Sequence, residues 1–330
     1  MLNVAKEYRN VPKTIRQKMN EANIYYSEIY YENEKKQSEV YYIYDNAEIL
    51  ILLIQKKLFF RFAVLPTEPC VFGENVDIVN FLDEMVLLGK SVFKVDWIGS
   101  TGVTALFPAA PKTAQTIPFG SYIIDLSLSE EKIWADMHSK HRNVIRKAEK
   151  DGVIIQAGGT ELLEDYCRLD EVTWKRSGET KKLFPVYQKL LTNYKGYAVL
   201  YMAYSEDGEP QGGAVFLKNK AMSYYLYGAS KNSPTTGAMN YLHWTAIRDF
   251  KKEGIRQYNF VGCRINEDLD SKYHGIQRFK KRFGGALFVG KMFKVIVRPY
   301  RYKLFRFLQC VKQGHVVEDI IDQEIDKWKT

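Results

Sequence analysis

Three short apolar runs, 40–44, 49–54 and 58–64, follow one another near the N-terminus. Asp45-Asn46 supplies a hairpin turn between the first two, and Gln55-Lys56-Lys57 links the second to the third, so the pattern predicts an antiparallel meander ended by Pro66 and Pro69. From 76 to 88 the spacing turns helical, with Ile78, Phe81, Leu82 and Met85 on one face and Gly89 near the end. Residues 93–98 and 122–126 read as strands joined by a Pro/Thr/Ala-rich connection over 101–118. Ser127-x-x-Glu130 is a capping-box signature and predicts a helix to about Lys150, stopped by Asp151-Gly152. A strand at 153–156 and a helix from Thr160 to about Arg176 come next, and 178–197 holds only a few polar turns. Strands at 197–204, 212–218 and 222–229 turn at Asp207-Gly208 and Asn219-Lys220. A helix then runs from Gly237 to about Glu253, stopped by Gly254, before a strand at 257–261.

Composition narrows the class. With 330 residues, 46% of them hydrophobic, the chain has material for a sizeable core and a length that suggests two domains. Residues 1–20 are polar and charged with no apolar core of a signal peptide, and the longest apolar run, ending at Ile54, is far short of the ~20 residues a span requires. Four dispersed cysteines without a Cys-x-x-Cys pair point away from a disulfide framework or zinc site and toward a reducing cytosol. His138 and His141 sit i,i+3 on a basic helix with nothing placed to complete a metal site, so no metal is expected. The net charge of +9 favours phosphate-bearing partners, whether RNA, a nucleotide sugar or an anionic membrane face, without choosing among them.

Charge and aromatic side chains interleave in three places. The helix ending at Lys150 carries Lys140, Arg142, Arg146, Lys147 and Lys150 opposite an apolar face, either a solvated surface or a track for a phosphate backbone. In Gly275-Ile276-Gln277-Arg278-Phe279-Lys280-Lys281-Arg282-Phe283-Gly284-Gly285, a lysine pair lies between phenylalanines four apart. Such spacing holds Lys280 beside apolar neighbours, where a fixed cation can stabilise an oxyanion; the plainer reading is a surface cluster next to core phenylalanines. Residues 291–312 mix Lys, Arg, Phe and Tyr, fitting either an anionic membrane surface or a helix packed back on the first domain. Residues 313–330 turn acidic and amphipathic, as a closing helix would.

Read together, Leu226-Tyr227-Gly228-Ala229, Tyr241-Leu242-His243-Trp244, Tyr258-Asn259-Phe260-x-Gly262 and Gly275-x-x-x-Phe279-Lys280-Lys281-x-Phe283 resemble the Fem family, aminoacyl-tRNA-dependent transferases that build peptidoglycan side chains. Trp134-x-x-Met137-x-x-Lys140-x-Arg142-x-x-Ile145-Arg146-Lys147-Ala148-x-Lys150-x-Gly152-Val153 is a further similar segment. The likeness covers residues 120 to 290, and the order and spacing of the motifs carry it. The element order from 127 onward is that of an N-acetyltransferase-like (GNAT) domain, and the resemblance implies an α+β fold of two such domains with mixed central sheets. Residues 1–125, joined by 291–330, would hold the acceptor, and 126–290 the aminoacyl-tRNA end. The chain departs from the family in its first hundred residues, where Lys35-Lys36 sits in a polar loop, and it lacks the long coiled-coil arm of several members.

The resemblance implies direct attack by an amine on an aminoacyl ester, which fits the absence of a Ser/His/Asp or Cys/His constellation. It assigns Lys280 as the catalytic residue and Arg176, Tyr225, Tyr227, Phe279 and Lys281 as substrate contacts. Tyr225 and Tyr227, two apart on a strand, are expected to share a face. The implied partners are aminoacyl-tRNA and a peptidoglycan or other surface-polymer precursor, with no cofactor, in the cytoplasm or against the inner membrane face. An acyl-CoA N-acyltransferase is the competing reading. Against it, Ser233-Pro234-Thr235-Thr236-Gly237-Ala238 holds only part of a pyrophosphate loop. A non-catalytic RNA- or membrane-binding protein is a third reading, resting on charge alone.

Overall fold

The N-terminal meander forms because each apolar run is bounded by a turn and rich in residues that suit a pleated surface. In the computed structural model, which describes residues 2–100, 102, 104–176, 183–265, 272–316 and 318–327, every element named here falls within that range. Strand β1 (Asn3–Ala5) and helices α1 (Lys13–Ala22) and α2 (Glu28–Glu34) precede β2 (Glu39–Tyr44), β3 (Glu48–Lys57) and β4 (Phe60–Val64). A short β5 (Cys70–Val71) pairs with β3. Helix α3 (Ile78–Ser91) starts at Asp77, whose carboxylate accepts the Asn80 N–H, and buries Phe81, Leu82 and Met85. It returns the chain so that β6 (Trp97–Gly99) lies parallel to β4.

Strand β7 (Gln115–Asp125) leads into α4 (Glu130–Asp136), α5 (Ser139–Lys150), β8 (Ile154–Gly158), α6 (Leu163–Arg176) and α7 (Phe184–Asn193). Then come β9 (Ala198–Tyr204), β10 (Pro210–Lys218), β11 (Met222–Ser230), α8 (Ala238–Lys252) and β12 (Gln257–Asn259). The chain closes with β13 (Cys263–Arg264), α9 (Lys272–Lys281), β14 (Ala286–Ile296), α10 (Pro299–Gln313) and α11 (Ile320–Lys327). Two compact units result. One comprises Met1–Gly120, Gly262–Asn266 and Phe288–Thr330; the other comprises Ser121–Val261 and Glu267–Leu287.

Each unit repeats one plan. In the first, β2, β3 and β4 run antiparallel, α3 crosses over, and β6 adds parallel to β4. In the second, β9, β10 and β11 run antiparallel, α8 crosses over, and β12 adds parallel to β11. An antiparallel strand from a distant part of the chain completes each sheet: β14 on β6, and the second half of β7 on β12. The fold is therefore α+β, with a mixed sheet in each of two GNAT-like units. The first core joins α3 to Phe293 and Val295 of β14, and α10 lays Phe305 on Phe60 and Trp97.

Three sequence expectations change. The single helix from 130 to 150 is two, because Met137 and His138 are extended and the His138 ring accepts the Lys140 N–H to start α5 afresh. Between 178 and 197, where polar turns were expected, α7 buries Tyr187 and Leu191, four apart on one face; residues 177–182 lie outside the described ones. The basic stretch after 290 begins as a strand whose Met292, Phe293, Lys294 and Val295 are buried.

Candidate functional site

The order Tyr258-Asn259-Phe260-x-Gly262 has a concrete mechanical meaning here. After β12 the chain turns through Val261 (φ 42°) and Gly262 (φ 53°), both left-handed. For a β-branched residue this costs about 1–3 kcal/mol and persists only where neighbours enforce it. Asn259 does the enforcing: its Oδ1 accepts the Val261 N–H at 2.8 Å and the Ser121 hydroxyl at 2.5 Å. The turn aims the Val261 carbonyl at Lys280, whose ammonium donates to it. Lys280, on the last turn of α9, is only 7% exposed.

An aromatic cluster packs beside this residue, around the buried His243, whose pKa burial and then the Lys280 charge lower. Phe260, Phe283 and Phe279 pack in series, tilted and then edge-on, with ring centroids 5.0 and 5.2 Å apart. Two histidines complete it. His141 of α5 sits 4.7 Å from the Phe283 ring, with Nε2 3.0 Å from the Phe279 carbonyl. His243 of α8 is fully buried, 5.5 Å from both Phe279 and Phe283, with Nδ1 2.6 Å from the Tyr258 hydroxyl and Nε2 without a hydrogen-bond partner among the described residues. Burial first, and then the Lys280 charge, push the His243 pKa down to about 3. Burial takes His141 down to about 4. Both imidazoles are therefore neutral at physiological pH, beside one fixed cation.

Tyr225 closes the cluster, its ring 4.5 Å from His243. Its hydroxyl lies 1.7 Å from where a Cβ on Gly228 would stand, so only glycine at 228 admits the ring. The expectation that Tyr227 shares this face is corrected. A bulge at Leu226 lets Tyr225 pair with Phe216 and Tyr227 with Val215, adjacent β10 residues that face opposite sides. Phe216 packs on His243 and Phe250 of α8. Val215 and Tyr227 belong instead to the α6–α7 cluster. There Tyr227 meets the Tyr187 ring at 5.1 Å, and Tyr187 donates at 2.9 Å to Asp170, whose pKa burial raises.

Of the sequence candidates, the structure thus places Tyr225 and Phe279 against His243, with the Lys280 charge near enough to add to burial in lowering the His243 pKa. Lys281 is exposed on α9. Arg176 is exposed at the end of α6, its guanidinium 3.5 Å from the Ser230 hydroxyl at the end of β11. Thr173 ties the same two ends, donating to the Ser230 carbonyl and accepting the Ser230 N–H at 3.1 Å. His243 was assigned no role from sequence. Its signal was positional: it falls in the buried α8 stripe with Ala246, Ile247 and Phe250, where a lone histidine is out of character.

The basic helix is less free than its composition suggested. Arg142 donates to the carbonyls of Trp134, Ala135 and Met137, closing the end of α4. Arg146 lies over the Trp134 ring, and Lys147 pairs with Asp151. Lys140 and Lys150 stay exposed. A groove of about 420 Å³ lies beside this helix, lined by Trp134, Arg146, Tyr241, Trp244 and Arg248. At the start of α8, Gly237 (φ 83°) approaches α5 so closely that a Cβ would stand 2.1 Å from the Val144 carbonyl oxygen. Thr235 just before it spends its N–H and hydroxyl on the Gln211 side chain. A pyrophosphate cradle would require such donors, so this geometry counts against the acyl-CoA reading.

Comparison with known proteins follows the same lines. The model of the FemAB family matches residues 112–209 and 206–310. A lipid II:glycine glycyltransferase of Staphylococcus aureus (strain USA300) is 31% identical over 114 residues, which are 32% of this chain and 26% of that protein. The chain thus spans about a quarter of the length of the curated relatives it matches. The crystal structure of FemX superposes with a TM-score of 0.69 at 16% identity, covering 92% of this chain and 99% of the other. A tandem GNAT protein from the clavulanic acid biosynthesis pathway superposes with a TM-score of 0.51 at 11% identity, covering 90% and 99%.

Proposed function

This chain belongs to the FemAB family, and from that membership we propose that it is an aminoacyltransferase. It moves an amino acid from aminoacyl-tRNA to an amine of a peptidoglycan precursor, in the cytoplasm and against the inner membrane face where a lipid-linked acceptor lies. The relatives' activity on lipid II supports the acceptor class. The neutral amine attacks the ester carbonyl, the tetrahedral oxyanion forms, and its collapse expels the ribose hydroxyl, which takes the proton lost by the amine. An activated ester needs no acyl-enzyme, so positioning and charge stabilisation suffice.

The observation that carries this reading is the buried Lys280 ammonium, held by the Val261 carbonyl close enough to His243 for its charge to add to burial in lowering that histidine's pKa. Its place is fixed before substrate arrives, which is what makes a cation effective at a developing oxyanion. Phe279 and Tyr225 pack on His243. The exposed Arg176 and Lys281 are suited to phosphates of the tRNA end, Arg176 as a planar fork. Lys140 and Lys150 offer further backbone contacts.

The test is a transfer assay with charged total tRNA and acetyl-CoA in parallel, against soluble muropeptide precursors. Product is expected with tRNA and not with acetyl-CoA. Lys280→Met is expected to slow transfer by about 10²–10³, the effect of removing one oxyanion partner. It should also lower stability by about 1–3 kcal/mol through the unpaired Val261 carbonyl. Near-normal turnover in a folded Lys280→Met protein would reduce the lysine to a structural strut. Product from acetyl-CoA alone would move the chain to the acyl-CoA class.

A further inference from the structure

Helix α10 is apolar on the wrong side. Phe305 is buried on the first unit's sheet, with Tyr302 and Leu308 packed beside it. Yet Tyr300, Leu304, Phe307 and Val311 are all exposed, Tyr300 by 88% and Val311 by 65%. At about 100° per residue these four fall within about 60° of the helix circumference, facing away from the buried side. The β3–β4 hairpin tip extends the patch: Leu58 is 78% exposed and lines a groove with Leu308, Lys312 and Gln313, and Phe59 beside it is exposed too. Arg301 fixes the tip to the helix, donating to the Phe59 carbonyl and to the buried Asp96 at 2.6 Å.

The rim of this patch has one sign. Residues 288–317 contain no Asp or Glu, and they carry Lys291, Lys294, Arg298, Arg301, Lys303, Arg306 and Lys312. Lys303 and Lys312 are exposed on α10 itself, and Lys57 is exposed beside the hairpin tip. Of the nearby acids, Asp319 and Asp322 pair with the buried Lys294, and Asp322 also with Arg306, while Glu318 beyond the end of α10 is exposed. Among the described residues no helix is long and apolar enough to cross a membrane, so α10 is not a span.

We propose that the exposed face of α10, with the Leu58–Phe59 tip, is a docking surface for an anionic lipid bilayer. An aromatic and aliphatic stripe flanked by lysines is the composition that lies in the interfacial plane, with apolar side chains at the acyl boundary and cations among headgroups. The same positive rim argues against a second copy of the chain, since two such faces would oppose like charge to like. The docking surface rests on the transferase reading only for its purpose, to bring the protein to a lipid-linked acceptor.

Flotation with phosphatidylcholine vesicles, with and without phosphatidylglycerol, tests it. Neither precursor nor tRNA is present, so the result is independent of the transfer assay on soluble acceptor. The protein is expected to float with phosphatidylglycerol vesicles, at least tenfold more weakly with phosphatidylcholine alone, and less as salt rises. Phe307→Asp/Val311→Asp should weaken binding at least tenfold with melting temperature unchanged. Lys303→Glu/Lys312→Glu should do likewise, at about fivefold for each lysine lost. No flotation at low salt would overturn the proposal, and so would binding that survives both double substitutions. A wild-type dimer in sedimentation that Phe307→Asp/Val311→Asp dissolves would also overturn it, by assigning the face to self-association.

Discussion

Asn259 decides where the Lys280 ammonium sits, acting through Val261. Its carbonyl oxygen pins the left-handed Val261, and Val261 presents the acceptor for Lys280. Asn259→Ala is expected to destabilise the protein by about 1–3 kcal/mol, since the buried Val261 N–H and Ser121 hydroxyl lose their partner. Transfer should fall further than the folded fraction does, because the cation loses its anchor; parallel decline of rate and folded protein would deny Asn259 that role. The two buried histidines give a second, pH-linked consequence. Their folded pKa values, about 3 and about 4, lie below the ordinary 6.5. Above pH 6.5 they are neutral folded or unfolded and add no pH dependence. As pH falls below 6.5 the unfolded chain takes up protons that the folded one refuses, so stability drops by about 1.4 kcal/mol per pH unit for each histidine, until its folded pKa is reached. Glu48, raised to about 7 by burial, slopes the opposite way and is common to all variants. Denaturant unfolding of His243→Gln between pH 6.5 and 4.5 should show a slope shallower than wild type by that amount, and an unchanged slope would mean the imidazole is not held neutral.

The α5–α8 contact shows how an element's end can matter more than its face. Gly237 combines a positive φ with a backbone approach to Val144 that leaves no room for a methyl. Gly237→Ala is expected to cost more than about 2 kcal/mol, from strain and clash together, and to loosen α5 against α8. Hydrogen exchange localised to α5 and the first turn of α8 would report it, while wild-type stability would show that α5 readily shifts. Strand β11 makes a different point. One extra residue, Leu226, sends Tyr225 toward α8 and Tyr227 toward α7, so a single strand serves two faces with neighbouring tyrosines.

Each unit depends on a strand supplied from far along the chain. For the first unit this is β14, whose Lys294–Ile296 pair with Gly99–Trp97 of β6 and whose Phe293 enters the core. Removing residues 288–330 strips that strand, the Phe305 contact with Trp97 and the Arg301 partner of the buried Asp96. An unpaired buried carboxylate alone costs several kcal/mol. The truncated chain should lose the cooperative unfolding of its N-terminal unit and become protease-sensitive between residues 1 and 120, while the unit holding Lys280 resists. Full protease resistance in residues 1–120 would show that the unit folds without its returning strand.

Several features were readable from the chain because they depend on local period and turn chemistry. The three-strand meanders, α3, and α8 with its Gly254 stop follow from spacing alone, while α3 runs two residues past Gly89. The motif around Phe279 and Lys280 announced a cation among aromatics, and its burial follows from phenylalanines on either side. What local spacing could not reveal were events set by partners distant in sequence. The break between α4 and α5 is closed by Arg142 reaching back, α7 is ten residues long and buries only Tyr187 and Leu191 of its apolar side chains, and the bulge at Leu226 depends on register with β10. His243 reaches Phe279 only when α8 and α9 meet, and the apolar face of α10 is visible as exposed only once its opposite face is buried. Sequence period sets which residues share a face only where an element stays regular; the bulge that parts Tyr225 from Tyr227, the side of the sheet an element covers, and what remains uncovered are properties of the packed whole.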